Sequence, residues 1–329
     1  MILRKSLGTL TVVALVLGWL GGAVAQEMDM DISAKSYVVM DAKSGKILLA
    51  YNPQLFWPPA STLKVMTAMY AAEHLKMDDK VPVSATAAAA PPSKIAIKPG
   101  EVYTTQELLY ALLLSSANDA ARALAEKVSG SEDEFARQLT RQVRQWGAYR
   151  TTLATANGLP ADNQYTTAQD LALMFKRAME NPELAKIMGT KYYTIQGDRE
   201  LRNHNRFLFT TPLAVAGKTG FTRASKHTYV GMFRNGDKEI IISMLGSTQK
   251  WKDIRPLIEK GFELEGAPIA KLPPAEEKLW FAKKHTGTAV ASRGKRRSGK
   301  VVMGSAGSIP SKKKAGSKRR SKTRVQDDS

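Results

Sequence analysis

Residues 228–245 read Thr-Tyr-Val-Gly-Met-Phe-Arg-Asn-Gly-Asp-Lys-Glu-Ile-Ile-Ile-Ser-Met-Leu and contain two apolar runs on either side of a turn signal. The turn signal is Asn235-Gly236, which favours a two-residue hairpin loop because both residues tolerate positive φ. The flanking runs are rich in aromatic and β-branched residues, which are common in strands. We therefore predict a β-hairpin over this stretch.

A second hairpin is predicted near the N-terminus. Ser36–Asp41 and Lys46–Tyr51 are apolar runs joined by the turn residues Lys43-Ser44-Gly45. A last helix is predicted near Trp251–Phe262, after the hairpin of residues 228–245. Strands at both ends of one domain, with helices between them, indicate a single antiparallel sheet assembled from both ends of the chain.

The middle of the chain carries the helix signals. One helix is predicted from about Ser61, after a proline pair, to about Leu75. Three further helix starts have a Ser or Thr followed three residues later by an acidic residue, as in a capping box: Thr104 with Glu107, Ser131 with Glu134, and Thr167 with Asp170. The predicted fold class is α/β, of the α+β type, with a helical subdomain covering the sheet.

Composition excludes several classes of site. The 329 residues include 43% hydrophobic residues, enough for a sizeable core. The chain has no cysteine, which excludes disulfide scaffolds, thiolate metal sites and cysteine nucleophiles. Its four histidines are too scattered to suggest a clustered metal site: His74, His204, His227 and His285.

Most of the net charge of +19 lies at the C-terminal end. Residues 283–329 contain fifteen Lys and Arg against two Asp, a net +13, and residues 1–25 add Arg4 and Lys5, which leaves +4 for residues 26–282. The C-terminal segment is rich in Gly and Ser and has no apolar period, which predicts a solvated, disordered tail. This tail is predicted to attract anionic envelope polymers or lipids, or only to solubilise the chain.

The first 25 residues are typical of a secretory signal peptide. Arg4 and Lys5 precede the mostly apolar run Leu7–Leu20, and Ala23-Val24-Ala25 forms a small-x-small cleavage site. An uncleaved anchor is the alternative, although the run is shorter than the ~20 residues of a bilayer span. We predict a signal peptide over 1–25, one folded domain over 26–265, and a linker with the basic tail over 266–329. Export to the periplasm or cell wall makes nucleic acid a poor partner.

Ser61-Thr62-Leu63-Lys64 is the first candidate for chemistry. Residues three apart share a helix face, so the Ser61 hydroxyl and the Lys64 amine can approach each other. Lysine acts as a base for serine only when it is neutral, which burial or a second cation favours. The pattern alone is weak, since it recurs at Ser247/Lys250, Ser292/Lys295 and Ser311/Lys314. The structural alternative is a serine N-cap followed by a solvated lysine.

Two further groups follow along the chain. Ser116-Ala117-Asn118 closes an apolar helical run, where the local alternative is a helix C-cap and a turn. Lys218-Thr219-Gly220 follows Gly217. On an edge strand, Gly220 would leave room for a substrate backbone while Lys218 and Thr219 offer a cation and a hydroxyl to a carboxylate. The alternative is a basic turn bounded by glycines.

The joint order of the three groups is far more specific than any one of them. Ser116 follows Ser61 by 55 residues, and Lys218 follows Ser116 by 102. This arrangement resembles the low-molecular-mass penicillin-binding proteins, the serine D-alanyl-D-alanine carboxypeptidase family. The resemblance covers about residues 30–265 and implies a β-lactamase/transpeptidase-like fold. Further matching stretches are residues 59–67, 115–119, 157–159, 166–171 and 217–222.

The resemblance also implies roles for the site residues. Ser61 would be the acylated nucleophile, Lys64 its general base, and Ser116 the relay of a proton to the leaving amine. Asn118, Lys218, Thr219, Gly220 and Phe221 would bind substrate, with the terminal carboxylate on Lys218 and Thr219. The main-chain N–H groups of Ser61 and Phe221 would form the oxyanion hole. The implied substrate is a peptidoglycan stem peptide ending in D-Ala-D-Ala, β-lactams would inhibit, and no metal or organic cofactor is needed.

Three alternatives to a carboxypeptidase are a β-lactamase, a D,D-endopeptidase that cleaves cross-links, and a non-catalytic cell-wall or polyanion-binding protein. The Glu-x-x-Leu-Asn segment that some β-lactamases use for deacylation is absent from the sequence. The chain also departs from members with a C-terminal β-domain and an anchoring helix, since only a linker and the basic tail are predicted after about Glu265. His204 lies where some relatives have an additional arginine, and we assign it no catalytic role.

Overall fold

The computed structural model describes residues 30–272. Its main sheet has five antiparallel strands in the order β2-β1-β9-β8-β7. The strands are β1 (Ser36–Asp41), β2 (Ile47–Tyr51), β7 (Ala214–Thr222), β8 (Lys226–Asn235) and β9 (Lys238–Ser247). The first two strands and the last three therefore come from opposite ends of the domain, which confirms the predicted sheet.

The chain between β2 and β7 forms the helical part. Its helices are α1 (Lys64–His74), α2 (Ala85–Ala88), α3 (Thr105–Leu114), α4 (Asn118–Ser129), α5 (Glu132–Gln145), α6 (Ala168–Met179), α7 (Pro182–Gly189) and α8 (Phe207–Thr210). Two small two-stranded sheets interrupt them: β3 (Lys80–Pro82) with β4 (Val102–Thr104), and β5 (Tyr192–Ile195) with β6 (Arg199–Arg202). After the sheet comes α9 (Lys250–Leu264).

Strand β9 explains why the predicted hairpin reads as a continuous apolar run. Ile241 and Leu245 belong to the core shared with the helical part, whereas Ile240 and Ile242 belong to a second core that includes residues of α9. Successive side chains of a strand point to opposite faces, so a central strand covered on both faces must be apolar throughout. The sheet is thus held between α9 and the helical part.

The helix starts differ from the predictions in two respects. Residues Ala60–Leu63 form a 3-10 turn, and the α-helix begins only at Lys64, with no side-chain cap. Ser61 is therefore not an N-cap, and its hydroxyl is available for other contacts. Only Thr104, among the helix starts within residues 30–272, shows both bonds of a capping box. At Thr167 the Asp170 carboxylate accepts instead from Arg150 N and Thr151 Oγ1.

Some predictions lie outside the described residues: the signal peptide over 1–25 and the basic tail. The domain boundary at 265 also stays a prediction, although α9 ends at Leu264 and the chain folds back until Leu272 N donates to Glu259 Oε1 at 2.8 Å. Over residues 30–272, no helix combines the length and the apolar character that a membrane span requires.

Candidate active site

Ser61 and Lys64 meet at the junction between the 3-10 turn and α1. The Lys64 Nζ atom lies 3.1 Å from Ser61 Oγ. The predicted helical spacing thus brings the two groups together, although the intervening turn is tighter than an α-helix. Lys64 is fully buried rather than solvated, which excludes the structural alternative for this lysine.

Three oxygen atoms surround the Lys64 amine. Besides Ser61 Oγ, these are Asn118 Oδ1 at 2.7 Å and the main-chain oxygen of Asn157 at 2.5 Å. A neutral amine has two N–H donors and one lone pair. It can therefore donate to Asn118 and Asn157 while its lone pair accepts the Ser61 hydroxyl proton.

Burial holds the pKa of Lys64 well below its ordinary value of 10.5, and the nearby Lys218 cation lowers it further. The carboxylates of Glu132 and Asp119 act in the opposite direction. Burial is the largest of these effects, so the neutral form of the amine is favoured over the ammonium form. Lys64 is thereby a base able to take a proton from a serine hydroxyl.

Ser116 lies in the loop between α3 and α4, two residues before Asn118, and its hydroxyl contacts Lys218 on β7. Its φ is +60°, an unusual value for a residue with a side chain, of a kind that concentrates at functional sites. Lys218 Nζ donates to Ser116 Oγ at 3.0 Å and to the Thr219 main-chain oxygen at 2.9 Å. The predicted helix end lies here, since α3 ends at Leu114 with Ser115 as its C-cap. Ser116 follows this cap and contacts Lys218 of the candidate site.

Asn118 begins α4 and is held from two sides. Its Oδ1 accepts from Lys64, its Nδ2 donates to the Pro91 main-chain oxygen at 2.9 Å, and its main-chain N–H donates to Ser93 O at 2.8 Å. These bonds fix which amide atom faces the lysine. Its predicted contact with substrate stays a prediction, while the structure shows its contact with Lys64.

Strand β7 lies at an edge of the sheet, as the Lys218-Thr219-Gly220 prediction required, and its Gly220 packs against the nucleophile turn. A Cβ on Gly220 would lie 2.4 Å from Thr228 Oγ1 and 2.8 Å from Ser61 N, so only glycine fits. Thr219 is largely buried, whereas 56% of the Phe221 side chain is exposed. The strand therefore brings its main chain close to the amide of Ser61.

Lys218 is a buried cation in a positively charged neighbourhood. Burial, and then the charge of Lys250, lowers the pKa of Lys218 to about 7. Burial and the charge of Arg206 lower the pKa of Lys250 to about 8. A bound carboxylate would relieve this repulsion and raise the pKa of Lys218.

The sequence analysis missed two contributors to this site. Asn157 acts through its main-chain oxygen; residues 157–159 matched the family, but no role at the site was predicted for them. A Cβ on Gly158 would lie 2.0 Å from Ala60 O, so this stretch packs directly against the nucleophile segment. Lys250 belongs to a recurrence of the Ser-x-x-Lys pattern that looked accidental, yet its charge acts on Lys218. The sequence pattern does not reveal that Lys250 is buried, and this burial is what brings its charge to bear on Lys218.

His204 lies beside the Ser116 loop. Its main-chain N–H donates to Leu114 O at 3.1 Å, and the residue is exposed. That it has no catalytic role stays a prediction.

The sequence is similar to those of known proteins. A sequence model of the D-alanyl-D-alanine carboxypeptidase family, peptidase family S11, matches residues 23–249. The chain is 32% identical over 245 residues to the D-alanyl-D-alanine carboxypeptidase DacB2 of Mycobacterium tuberculosis, covering 71% of this chain and 84% of that relative.

Solved structures give the same result. A crystal structure of a D-alanyl-D-alanine carboxypeptidase from Mycobacterium tuberculosis superposes with a TM-score of 0.69 at 31% identity, covering 74% of this chain and 96% of that one. The cefotaxime-bound penicillin-binding protein D2 of Listeria monocytogenes superposes with a TM-score of 0.65 at 27% identity, covering 71% and 99%. The chain belongs to the D-alanyl-D-alanine carboxypeptidase family of serine peptidases.

Proposed function

We propose that this enzyme removes the terminal D-alanine from peptidoglycan stem pentapeptides through an acyl-enzyme on Ser61. The observation that carries the proposal is the buried amine of Lys64, whose pKa is lowered, at 3.1 Å from the Ser61 hydroxyl oxygen. A serine with a neutral base in contact is an activated nucleophile. The cation of Lys218 on β7, which donates to Ser116 Oγ, gives the site its preference for a substrate carboxylate.

Acylation begins when Lys64 takes the Ser61 proton as Oγ attacks the carbonyl carbon of the penultimate D-alanine. The negative charge that forms on the carbonyl oxygen is stabilised by the main-chain N–H groups of Ser61 and Phe221. The C–N bond then breaks, and the proton passes through Ser116 to the leaving amine. Free D-alanine departs, and an ester joins the shortened peptide to Ser61.

Substrate lies along the open edge of β7 in this proposal. Its terminal carboxylate binds Lys218 and Thr219, and its backbone runs beside Gly220, whose missing side chain lets β7 pack against Ser61 N. Asn118 contacts the peptide from the opposite side. Water then attacks the ester, Lys64 again serves as base, and Ser61 is regenerated.

β-Lactams enter the same pathway up to the ester. Ser61 opens the lactam ring by attack on its carbonyl carbon, but the amine stays tethered to the acyl group and continues to occupy the site. We therefore expect slow release of the drug. Mass spectrometry after penicillin treatment should show a long-lived adduct on the peptide that contains Ser61, whereas rapid turnover would indicate a β-lactamase.

The choice between carboxypeptidase and endopeptidase is tested with two substrates. Monomeric pentapeptide should release D-alanine faster than a cross-linked dimer is cleaved, because the cations of Lys218 and Lys250 favour a free carboxylate next to the leaving amine. Faster cleavage of the dimer would assign the enzyme to the endopeptidases, and no cleavage of either would favour a binding protein.

Replacing Lys218 by alanine is expected to reduce kcat/KM for the pentapeptide by roughly 10²- to 10³-fold, the usual loss when one partner of a buried charge pair is removed. The loss should be smaller for the same peptide with an amidated C-terminus, which lacks the charge. Steady-state hydrolysis of both peptides measures the difference. Lys43→Ala, on the exposed turn between β1 and β2, is the control for loss of one positive charge. Equal losses for both peptides would contradict the role of Lys218.

We also propose export by residues 1–25 and electrostatic attraction of the tail to anionic envelope polymers or lipids. The support is the +13 charge of residues 283–329, because each Lys or Arg near an anionic surface contributes about 1 kcal/mol. Deleting residues 283–329 should weaken salt-sensitive retention on envelopes and leave peptide hydrolysis in solution unchanged. Equal retention of the truncated chain would leave the tail with a solubilising role only.

A further inference from the structure

The turn over residues 155–159 contacts the catalytic base directly. The Asn157 main-chain oxygen accepts from Lys64 Nζ at 2.5 Å, and Thr67 Oγ1 of α1 donates to Ala156 O at 2.7 Å. Gly158 packs against Ala60 O, where a Cβ would lie at 2.0 Å. The position of this turn therefore sets the position of one of the three oxygens around the Lys64 amine.

The carboxylate of Glu132 accepts hydrogen bonds from two residues of this turn. Glu132 Oε1 accepts from Ala156 N at 3.0 Å and from Asn157 Nδ2 at 2.9 Å. Its other oxygen, Oε2, accepts from Arg122 Nε at 2.6 Å. The side chains of Arg122 and Glu132 are only 24% and 16% exposed, so their charges are poorly screened by solvent.

Charged groups act on Lys64 from three elements. Lys218 on β7 disfavours the ammonium form and lowers the pKa of Lys64, as burial does, while Asp119 on α4 and Glu132 on α5 raise it. Asp119 also accepts from the main-chain N–H groups of Ile95 and Ile97, both at 3.2 Å. Arg122, also on α4, partly neutralises Glu132, so the charge balance of this pair bears on the base.

We propose that Glu132, clamped by Arg122, is a positioning residue for the general base. It holds the Asn157 oxygen on Lys64 and supplies a negative charge that stabilises the ammonium form while Lys64 carries the Ser61 proton. Glu132 itself takes up no proton: the proton moves from Ser61 Oγ to Lys64 Nζ and then to the leaving amine. The inference rests on the proposed function, in which Lys64 is the base.

The test is the pH dependence of the second-order rate of acylation by penicillin, from about pH 5 to about pH 9, which reports on groups of the free enzyme. Glu132→Gln keeps the shape of the side chain and removes its charge. We expect its rate at neutral pH to fall roughly tenfold to a hundredfold from misplacement of the base. Its acid limb should move to lower pH, because an ammonium without its counter-charge loses its proton more readily.

Arg122→Gln should move the acid limb in the opposite direction, to higher pH, because the Glu132 charge then acts on Lys64 without compensation. The double variant Arg122→Gln/Glu132→Gln should return the limb close to its wild-type position. Asp133→Asn removes one negative charge from the same helix turn at an exposed position and is the matched control, with an unchanged profile.

Acid limbs at the same pH in all variants would overturn the proposal, even if the rates fall, because a merely structural role lowers the rate equally at every pH. If thermal unfolding shows that Glu132→Gln does not fold, the shift expected for Arg122→Gln alone decides the question. A wild-type enzyme that penicillin does not acylate at Ser61 would instead contradict the proposed function.

Discussion

Replacing Ser61 by alanine is expected to abolish acylation by penicillin and to reduce release of D-alanine by at least about 10⁴-fold, as loss of a serine nucleophile does in other hydrolases. Ser61 carries the hydroxyl that contacts the buried Lys64 amine. The nearest alternative, the Ser116 hydroxyl, accepts from Lys218. The variant should still fold and bind substrate, because the main chain of the edge strand β7 is unchanged.

The measurement for Ser61→Ala is the intact mass after penicillin treatment, with thermal unfolding as the check of the fold. Ser311→Ala is the control, because Ser311 and Lys314 repeat the same four-residue pattern in the tail. This control should be acylated at the wild-type rate. A stable penicillin adduct on the Ser61→Ala protein would show that another residue is the nucleophile.

The sheet was predictable because its signals are local. The hairpin between β8 and β9 forms as predicted, but its loop is Gly236-Asp237, one residue later than expected, because Asn235 pairs with Lys238. The apolar run over Ile240–Ile242 matches a strand buried on both faces. The two-stranded sheets β3–β4 and β5–β6 were not predicted, since strands of three or four residues are too short to establish an alternating pattern. Where local signals are strong and repeated, the sequence alone specifies the element.

The site was predictable only where side-chain identity carries the chemistry. Ser61, Lys64, Ser116 and Lys218 were predicted from their types and order, and in the structure Ser61 contacts Lys64 while Ser116 contacts Lys218. The contribution of Asn157 escaped detection because any residue supplies a main-chain oxygen. Glu132 escaped for a different reason: its partners Arg122 and Asn157 are distant in sequence, and only packing brings them together.

Replacing Lys64 by methionine, an apolar side chain of similar length, is expected to slow acylation by about 10³-fold, within the range for loss of a general base. The Ser61 hydroxyl and the β7 edge remain, so residual activity should exceed that of Ser61→Ala. The measurement is the penicillin acylation rate per folded molecule. A rate within tenfold of wild type would contradict the role of Lys64 as base.

Stability gives a second readout of the same replacement that is independent of catalysis. The unfolded state holds the Lys64 proton up to about pH 10.5, whereas the folded state has released it because burial lowers the pKa of Lys64. At pH values between the lowered pKa of Lys64 and about 10.5, the unfolded wild type thus binds one more proton than the folded one, and its free energy of unfolding rises by about 1.4 kcal/mol per pH unit from this group.

Lys64→Met lacks this contribution, while Lys218 and Lys250 act equally in both proteins. The free energy of unfolding of the wild type, measured with denaturant at several pH values, should therefore increase relative to that of the variant across this range. Parallel curves for the two proteins would mean that Lys64 keeps its proton when buried. An ammonium group at this position could not accept the Ser61 proton, and the catalytic proposal would fail with it.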